Sequence, residues 1–109
     1  MTSGYLVSGN TVRNADAEAI HLEVMSRTVI ENNTVEQVTN QKSGTGIVFY
    51  GSAYIVARSN TVRNFYTGIQ NAYGVISGHY VIRDGHNTIE NDNIIVNCTR
   101  PIVLYPPVF

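Results

Sequence analysis

The 109 residues leave room for one domain around one continuous core. Lys and Arg total 7 against 8 Asp and Glu, a net charge of −1 with no basic face, which argues against a duplex nucleic-acid partner. No run approaches the ~20 apolar residues of a spanning helix, so no membrane partner is expected, and Met1-Thr2-Ser3-Gly4-Tyr5-Leu6 lacks the charged start of a signal peptide.

In chain order the first elements are Tyr5-Leu6-Val7, then Asn10-Thr11-Val12 closing on Asn14, then Ala19-Ile20-His21-Leu22. The same three parts return as Thr28-Val29-Ile30, Asn33-Thr34-Val35 closing on Gln37, and Gly46-Ile47-Val48-Phe49. A third set reads Tyr54-Ile55-Val56, Asn60-Thr61-Val62 closing on Asn64, and Gly68-Ile69-Gln70-Asn71. The fourth reads Tyr80-Val81-Ile82, Asn87-Thr88-Ile89 closing on Asn91, and Pro101-Ile102-Val103-Leu104. The Asn-Thr-(Val/Ile) phrases recur at spacings of 23, 27 and 27 residues, a period that means stacked repeats, each too small to bury its own apolar face.

Composition agrees with strands rather than helices: 14 Val, 11 Ile and 10 Thr stand against 3 Leu. The 12 Asn and 9 Gly supply corners between those strands. Three short strands per repeat, separated by bends, describe one coil of a parallel β-helix, so the expected fold is all-β, a solenoid of about four coils at 5–26, 27–53, 54–79 and 80–105. A β-sandwich would show two-residue hairpin signals without this self-similarity, and leucine-rich repeats would need Leu at fixed offsets.

Stacking makes equivalent residues into ladders. Val12, Val35, Val62 and Ile89 are expected to form one inward ladder, and Ile20, Ile47, Ile69 and Ile102 another. Asn10, Asn33, Asn60 and Asn87 suit the corners, because Asn tolerates left-handed backbone and its amide both donates and accepts along a stack. The longest polar excursion is Asn40–Gly46, and the segment Asp92–Cys98 reads as an added partial coil. The single cysteine, Cys98, excludes an internal disulfide and follows Ile94-Ile95-Val96, as a structural thiol would. At the far end Pro106-Pro107 stops strand pairing, whereas no polar cap precedes the first coil. The N-terminal edge therefore reads as cut or covered, as in the C-terminal part of a longer protein.

Strings such as Gly9-Asn10-Thr11-Val12-Arg13-Asn14, Glu31-Asn32-Asn33-Thr34-Val35 and Gly68-Ile69 resemble the right-handed parallel β-helix repeats of the pectate-lyase-like superfamily. That group includes polysaccharide lyases, polygalacturonases, alginate epimerases and bacteriophage tailspikes. The resemblance covers about residues 5–105 and implies the right-handed winding. It is specific for architecture and poorly specific for activity. The short length and uncapped start are most similar to a piece of a phage tailspike or tail fibre, which implies a virion or extracellular setting, a homotrimer and a bacterial surface polysaccharide as ligand.

Candidate chemistry follows from what departs from the ladders. With Ile20, Leu22 and Val24 inward, His21 and Glu23 face outward, and Asp16 and Glu18 lie just before them. Paired carboxylates are what glycoside hydrolysis needs, so Asp16, Glu18 and Glu23 are the catalytic candidates of a polysaccharide hydrolase or lyase. Outward acidic residues on a solvated strand more often serve solubility alone. Tyr66 and Tyr73, on bends, are candidates to stack on sugar rings. Val48, Tyr50, Val103 and Tyr105 occupy positions that would make an apolar outer face, the expected interface of a homo-oligomer; with the register slipped by one they would be core instead. Asp84, His86, Glu90 and Asp92 straddle a turn without metal-ligand spacing, and no nucleotide or phosphate-binding motif is visible, so neither a metal nor another cofactor is expected. Three functions remain open: a structural or binding module, an enzyme fragment, and a small interaction solenoid.

Overall fold

The computed structural model describes residues 2–15, 17–23, 25–37, 42–72, 74–76, 79–81 and 86–104. Among these every regular element is a strand. Coil one carries β1 (Thr2–Ser3), β2 (Leu6–Ser8), β3 (Thr11–Arg13) and β4 (Glu18–Glu23), and coil two β5 (Met25–Ser26), β6 (Val29–Glu31), β7 (Thr34–Glu36) and β8 (Thr45–Tyr50). Coil three carries β9 (Val56–Arg58), β10 (Thr61–Arg63) and β11 (Thr67–Ala72). A hairpin of β12 (Gly74–Ile76) and β13 (His79–Val81) follows, then coil four with β14 (Thr88–Ile89), β15 (Ile94–Val96) and β16 (Arg100–Leu104).

Three parallel sheets result, each taking one strand from every coil: β2-β6-β9-β14, β3-β7-β10-β15 and β4-β8-β11-β16. The expected inward ladder of Ile20, Ile47, Ile69 and Ile102 is present in register in the third sheet. Its inner members, Ile47 and Ile69, are fully buried with Phe49, Ile55 and Phe65. Burial of each such side chain stabilises the fold by roughly 1.5–3 kcal/mol. Ile102, on the fourth rung, remains 47% exposed, with none of the described residues on its far side.

The second sheet corrects the assignment of the fourth rung. Val12, Val35 and Val62 stack as expected, but the fourth rung is Ile95 and not Ile89. Thr88 and Ile89 instead pair with Val56 and Ala57 in the first sheet. The phrase Asn87-Thr88-Ile89 thus copies the earlier ones in letters and not in place. Tyr80-Val81, expected to open coil four, lies in the hairpin, where β13 runs antiparallel to β12; Ile82 lies outside the described residues. The first strand of coil three also begins one residue later than expected, with Val56 level with Leu6 and Val29. The segment after Asp92 is not a partial coil but β15 of the fourth.

Asn side chains hold the corner between the first two sheets. Asn10 Nδ2 donates to Asn33 Oδ1, Asn33 Nδ2 to Asn60 Oδ1, and Asn60 Nδ2 to Asn93 Oδ1, each at 3.0 Å. Asn93, not Asn87, ends this ladder. Asn87 serves the preceding corner, where its Oδ1 accepts from Ile55 N at 2.9 Å and its Nδ2 donates to Ser52 O at 2.9 Å. Left-handed residues turn the chain here, Gly9, Asn32 and Ser59, and at the next corner Asn14, Asn64 and Asn97. All are types for which that backbone region is accessible.

Coil four has one extra corner residue, and Asp92 uses it to clasp coil three. Its Oδ2 accepts from the Ser59 hydroxyl at 2.7 Å and its Oδ1 from the Ser59 amide at 2.9 Å. These two bonds, the hydroxyl first, hold the Asp92 carboxyl below its ordinary value. The clasp is therefore complete above about pH 4, the unfolded carboxyl's range, and is lost as pH falls through the lower folded-state value. In an acid titration followed by NMR, the Ser59 amide should move sharply upfield in the natural chain and stay flat in Asp92→Asn. A flat trace in both would overturn the clasp.

Candidate functional site

The outer face of the third sheet gathers the ionisable side chains. Strict alternation would turn Glu18 inward with Ile20 and Leu22. The strand instead bends so that two successive positions face the core: a Cβ at Gly46 would lie 2.6 Å from Val62 Cγ1, and its neighbour Ile47 is also in the core. Glu18, level with Thr45 just before Gly46, is thereby placed on the same outer side as His21 and Glu23.

His21 joins the two carboxylates. Its Nδ1 lies 3.0 Å from Glu18 Oε1 and its Nε2 lies 3.4 Å from Glu23 Oε1. A ring carrying both N–H groups donates to both carboxylates, whereas a neutral ring donates to one. The Tyr50 ring sits against His21 with centroids 4.9 Å apart. The structure thus brings Glu18 and Glu23 together through a histidine that sequence reading had placed outward without a role. Asp16 lies outside the described residues. Among those residues no group of three His, Cys, Asp or Glu side chains could hold a metal ion.

Of the four residues expected on an apolar outer face, Val48 is not exposed. Val48 is level with His21 and Gln70, which flank it in the adjoining coils, and it is fully buried. It offers no surface to a partner. Tyr50 and Val103 are half-buried, and Tyr105 lies outside the described residues. Apolar exposure is found instead in coil four, at Ile94, Val96, Ile102 and Leu104, and in coil one at Tyr5 and Leu6. On the second sheet Ile94 and Val96 continue columns that read Thr11-Thr34-Thr61 and Arg13-Glu36-Arg63 in the other coils.

Tyr66, a sugar-stacking candidate, is 44% exposed. The Arg100 guanidinium lies over its ring at 4.9 Å and also donates to Thr67 Oγ1 at 3.1 Å. The level below Tyr66 in coil two is Gly44, which has no side chain to cover the ring. Arg100 was not singled out by sequence reading, because its position over Tyr66 exists only once coils three and four are stacked. Tyr73 lies outside the described residues, as does Asp84. Cys98 is half-buried against the core, and that burial pushes its thiol up from the ordinary value, away from the reactive thiolate.

Among the described residues no helix is long and apolar enough to cross a membrane. A family model described as right handed beta helix region matches residues 1–106. No curated protein and no solved structure matches the chain.

Proposed function

The chain belongs to the right-handed β-helix family, and we propose that it is a structural and binding module that engages bacterial surface polysaccharide. The setting is a phage-type tail spike or fibre, at a virion surface or outside the cell. The observation that carries this reading is the Tyr66 ring, exposed, backed by Arg100 and level with the side-chain-free Gly44. Such a ring presents a flat apolar face with a polar rim, which matches the apolar face and hydroxyl edge of a sugar. Low overall charge and a surface rich in Asn, Ser and Thr suit the same class of ligand.

Calorimetry against a panel of bacterial capsular and outer-membrane polysaccharides tests it. Tyr66→Ala should bind about tenfold more weakly, the worth of one aromatic contact, with an unchanged melting temperature. Failure of every polysaccharide to bind would overturn the reading.

The Glu18–His21–Glu23 cluster favours a second reading, an enzyme fragment that hydrolyses or eliminates polysaccharide. Reducing-sugar and unsaturated-uronide assays on the same panel apply here. Any cleavage that survives both Glu18→Gln and Glu23→Gln would remove these residues from that role.

Side-by-side association of three copies belongs to the first reading. It draws support from the exposed apolar side chains of coil four, in place of Val48. Sedimentation should show a trimer, and a strictly monomeric species would overturn this part.

A further inference from the structure

The third corner of each coil differs from the other two in the residues it holds in left-handed backbone. Its left-handed positions are Gly4, Arg27, Tyr54 and His86, with φ of 78°, 53°, 58° and 47°. The other two corners use Gly, Asn and Ser there, apart from Lys42 at φ 48° in the long loop of coil two. Arg, Tyr and His each carry a backbone penalty at such a φ that Gly would avoid and Asn would reduce. Three coils in succession keep that strain, so the side chains do something that a relaxed corner residue could not.

What they do together is stack. The Arg27 guanidinium carbon lies 4.8 Å from the Tyr54 ring centroid. On the other side the Tyr54 and His86 rings are 5.2 Å apart and 14° from parallel. All three side chains are exposed, one per coil, in a single outward column. Both faces of Tyr54 are thus covered, so a sugar cannot stack on it; its position serves Arg27.

Arg27 differs from the cations around it. Arg13 and Arg58 are paired with Glu36 and Glu31, and Arg100 donates to Thr67. The Arg27 side chain has no ion pair or hydrogen bond among the described residues, only the ring beneath it. Above it, in coil one, stands Gly4, and a Cβ there would have nothing within 4 Å. A guanidinium held by stacking, with its N–H fork unpaired and open space over its free face, is prepared for a planar anion and for the ring that carries it.

We infer that the Gly4–Arg27–Tyr54–His86 column is a binding site for a carboxylate-bearing saccharide. Arg27 receives the carboxylate edge-on, the sugar ring takes the open place beside Gly4, and Tyr54 and His86 are positioning residues that hold the guanidinium. This rests on the polysaccharide reading above and adds that an acidic sugar is the preferred unit.

The test uses a β-1,4-linked oligoglucuronate and the neutral glucan oligomer of the same backbone, with calorimetry and thermal melting. The acidic oligomer should bind at least tenfold more tightly than the neutral one and weaken as salt is raised. Arg27→Asn is the decisive variant. It should lose that preference about tenfold while its melting temperature holds or rises, because the left-handed strain is reduced. Arg27→Lys, which keeps the charge and loses the fork, should recover only part of the binding. Equal binding of the two oligomers, full affinity in Arg27→Asn, or a fall in its melting temperature would overturn the site. If bacterial polysaccharides bind without dependence on Arg27, this inference alone fails. If the oligoglucuronate binds at Arg27 while the bacterial panel does not bind, the site stands and the proposed biological ligand falls.

Discussion

Asn60→Ala should lower the unfolding free energy by about 3–5 kcal/mol, a large share of the 5–15 kcal/mol typical of a domain. Asn60 is fully buried, and its side chain makes four hydrogen bonds to three residues. Its Oδ1 accepts from Asn33 N at 3.1 Å and Asn33 Nδ2 at 3.0 Å. Its Nδ2 donates to Ile30 O and to Asn93 Oδ1, both at 3.0 Å. Truncation leaves the Asn33 backbone N–H without a partner in a closed interior, an orphan that costs roughly 1–3 kcal/mol, and removes one bond each from Asn33 Nδ2, Ile30 O and Asn93 Oδ1. Water cannot replace the amide there as it can at the end of the ladder. Asn10→Ala, on the exposed first rung, should therefore cost less than about 1 kcal/mol. Equilibrium urea unfolding of both variants checks this, and equal losses would show that the ladder is not cooperative along the stack.

A methyl group at Gly68 should cost about 1–3 kcal/mol and act chiefly on coil four. Its Cβ would run into the Pro101 carbonyl oxygen and approach Ile95 Cγ2 at 2.9 Å. The first of these is the backbone of the neighbouring strand, so it cannot swing aside as a side chain would. β16 would have to separate from β11, and amide hydrogen exchange should show Ile102 and Leu104 losing protection before residues of coil two. Gly9→Ala is the fitting control. Gly9 has a φ of 71° but open space around it, so only backbone strain is added, about 1 kcal/mol and confined to its corner. If Gly68→Ala leaves stability and exchange unchanged, coils three and four are packed less closely than the structure has them.

Much of this architecture is legible from residues that repeat with the right chemistry. The ladder at Ile20, Ile47, Ile69 and Ile102 follows from alternation within each strand and recurrence between coils. Asn10, Asn33 and Asn60 are recognisable as corner residues, since few side chains accept a left-handed bend and also pair with copies of themselves. The fourth rung deceives because Asn87-Thr88-Ile89 and Asn93-Ile94-Ile95 are only six residues apart, and both begin with an Asn that holds a corner. The hairpin before the first and the extra corner residue before the second shift the spacing, and inter-coil backbone pairing alone selects between them.

The candidate sites were less legible. Glu23 and His21 follow from simple alternation, but Glu18 joins them only because the strand bends at two successive inward positions. Val48 follows the outward alternation and is nevertheless buried, since exposure depends on what neighbouring coils place around it. Arg27, Tyr54 and His86 run against the preference for Gly and Asn at left-handed corners, so a reading based on preference passes over them.

By itself the sequence determined the repeat, the strands, the inward ladders and the kind of residue at two of the three corners. Those properties are local or recur at one period, and they are written in side-chain size, branching and polarity. Only the tertiary structure decided which phrase fills the fourth rung, which carboxylates share a histidine, and which planar groups stack into a column. The rung and the column depend on the register between residues 27 or more positions apart, which is set by hydrogen bonds between coils, and the shared histidine depends on a bend within one strand that packing against the core imposes.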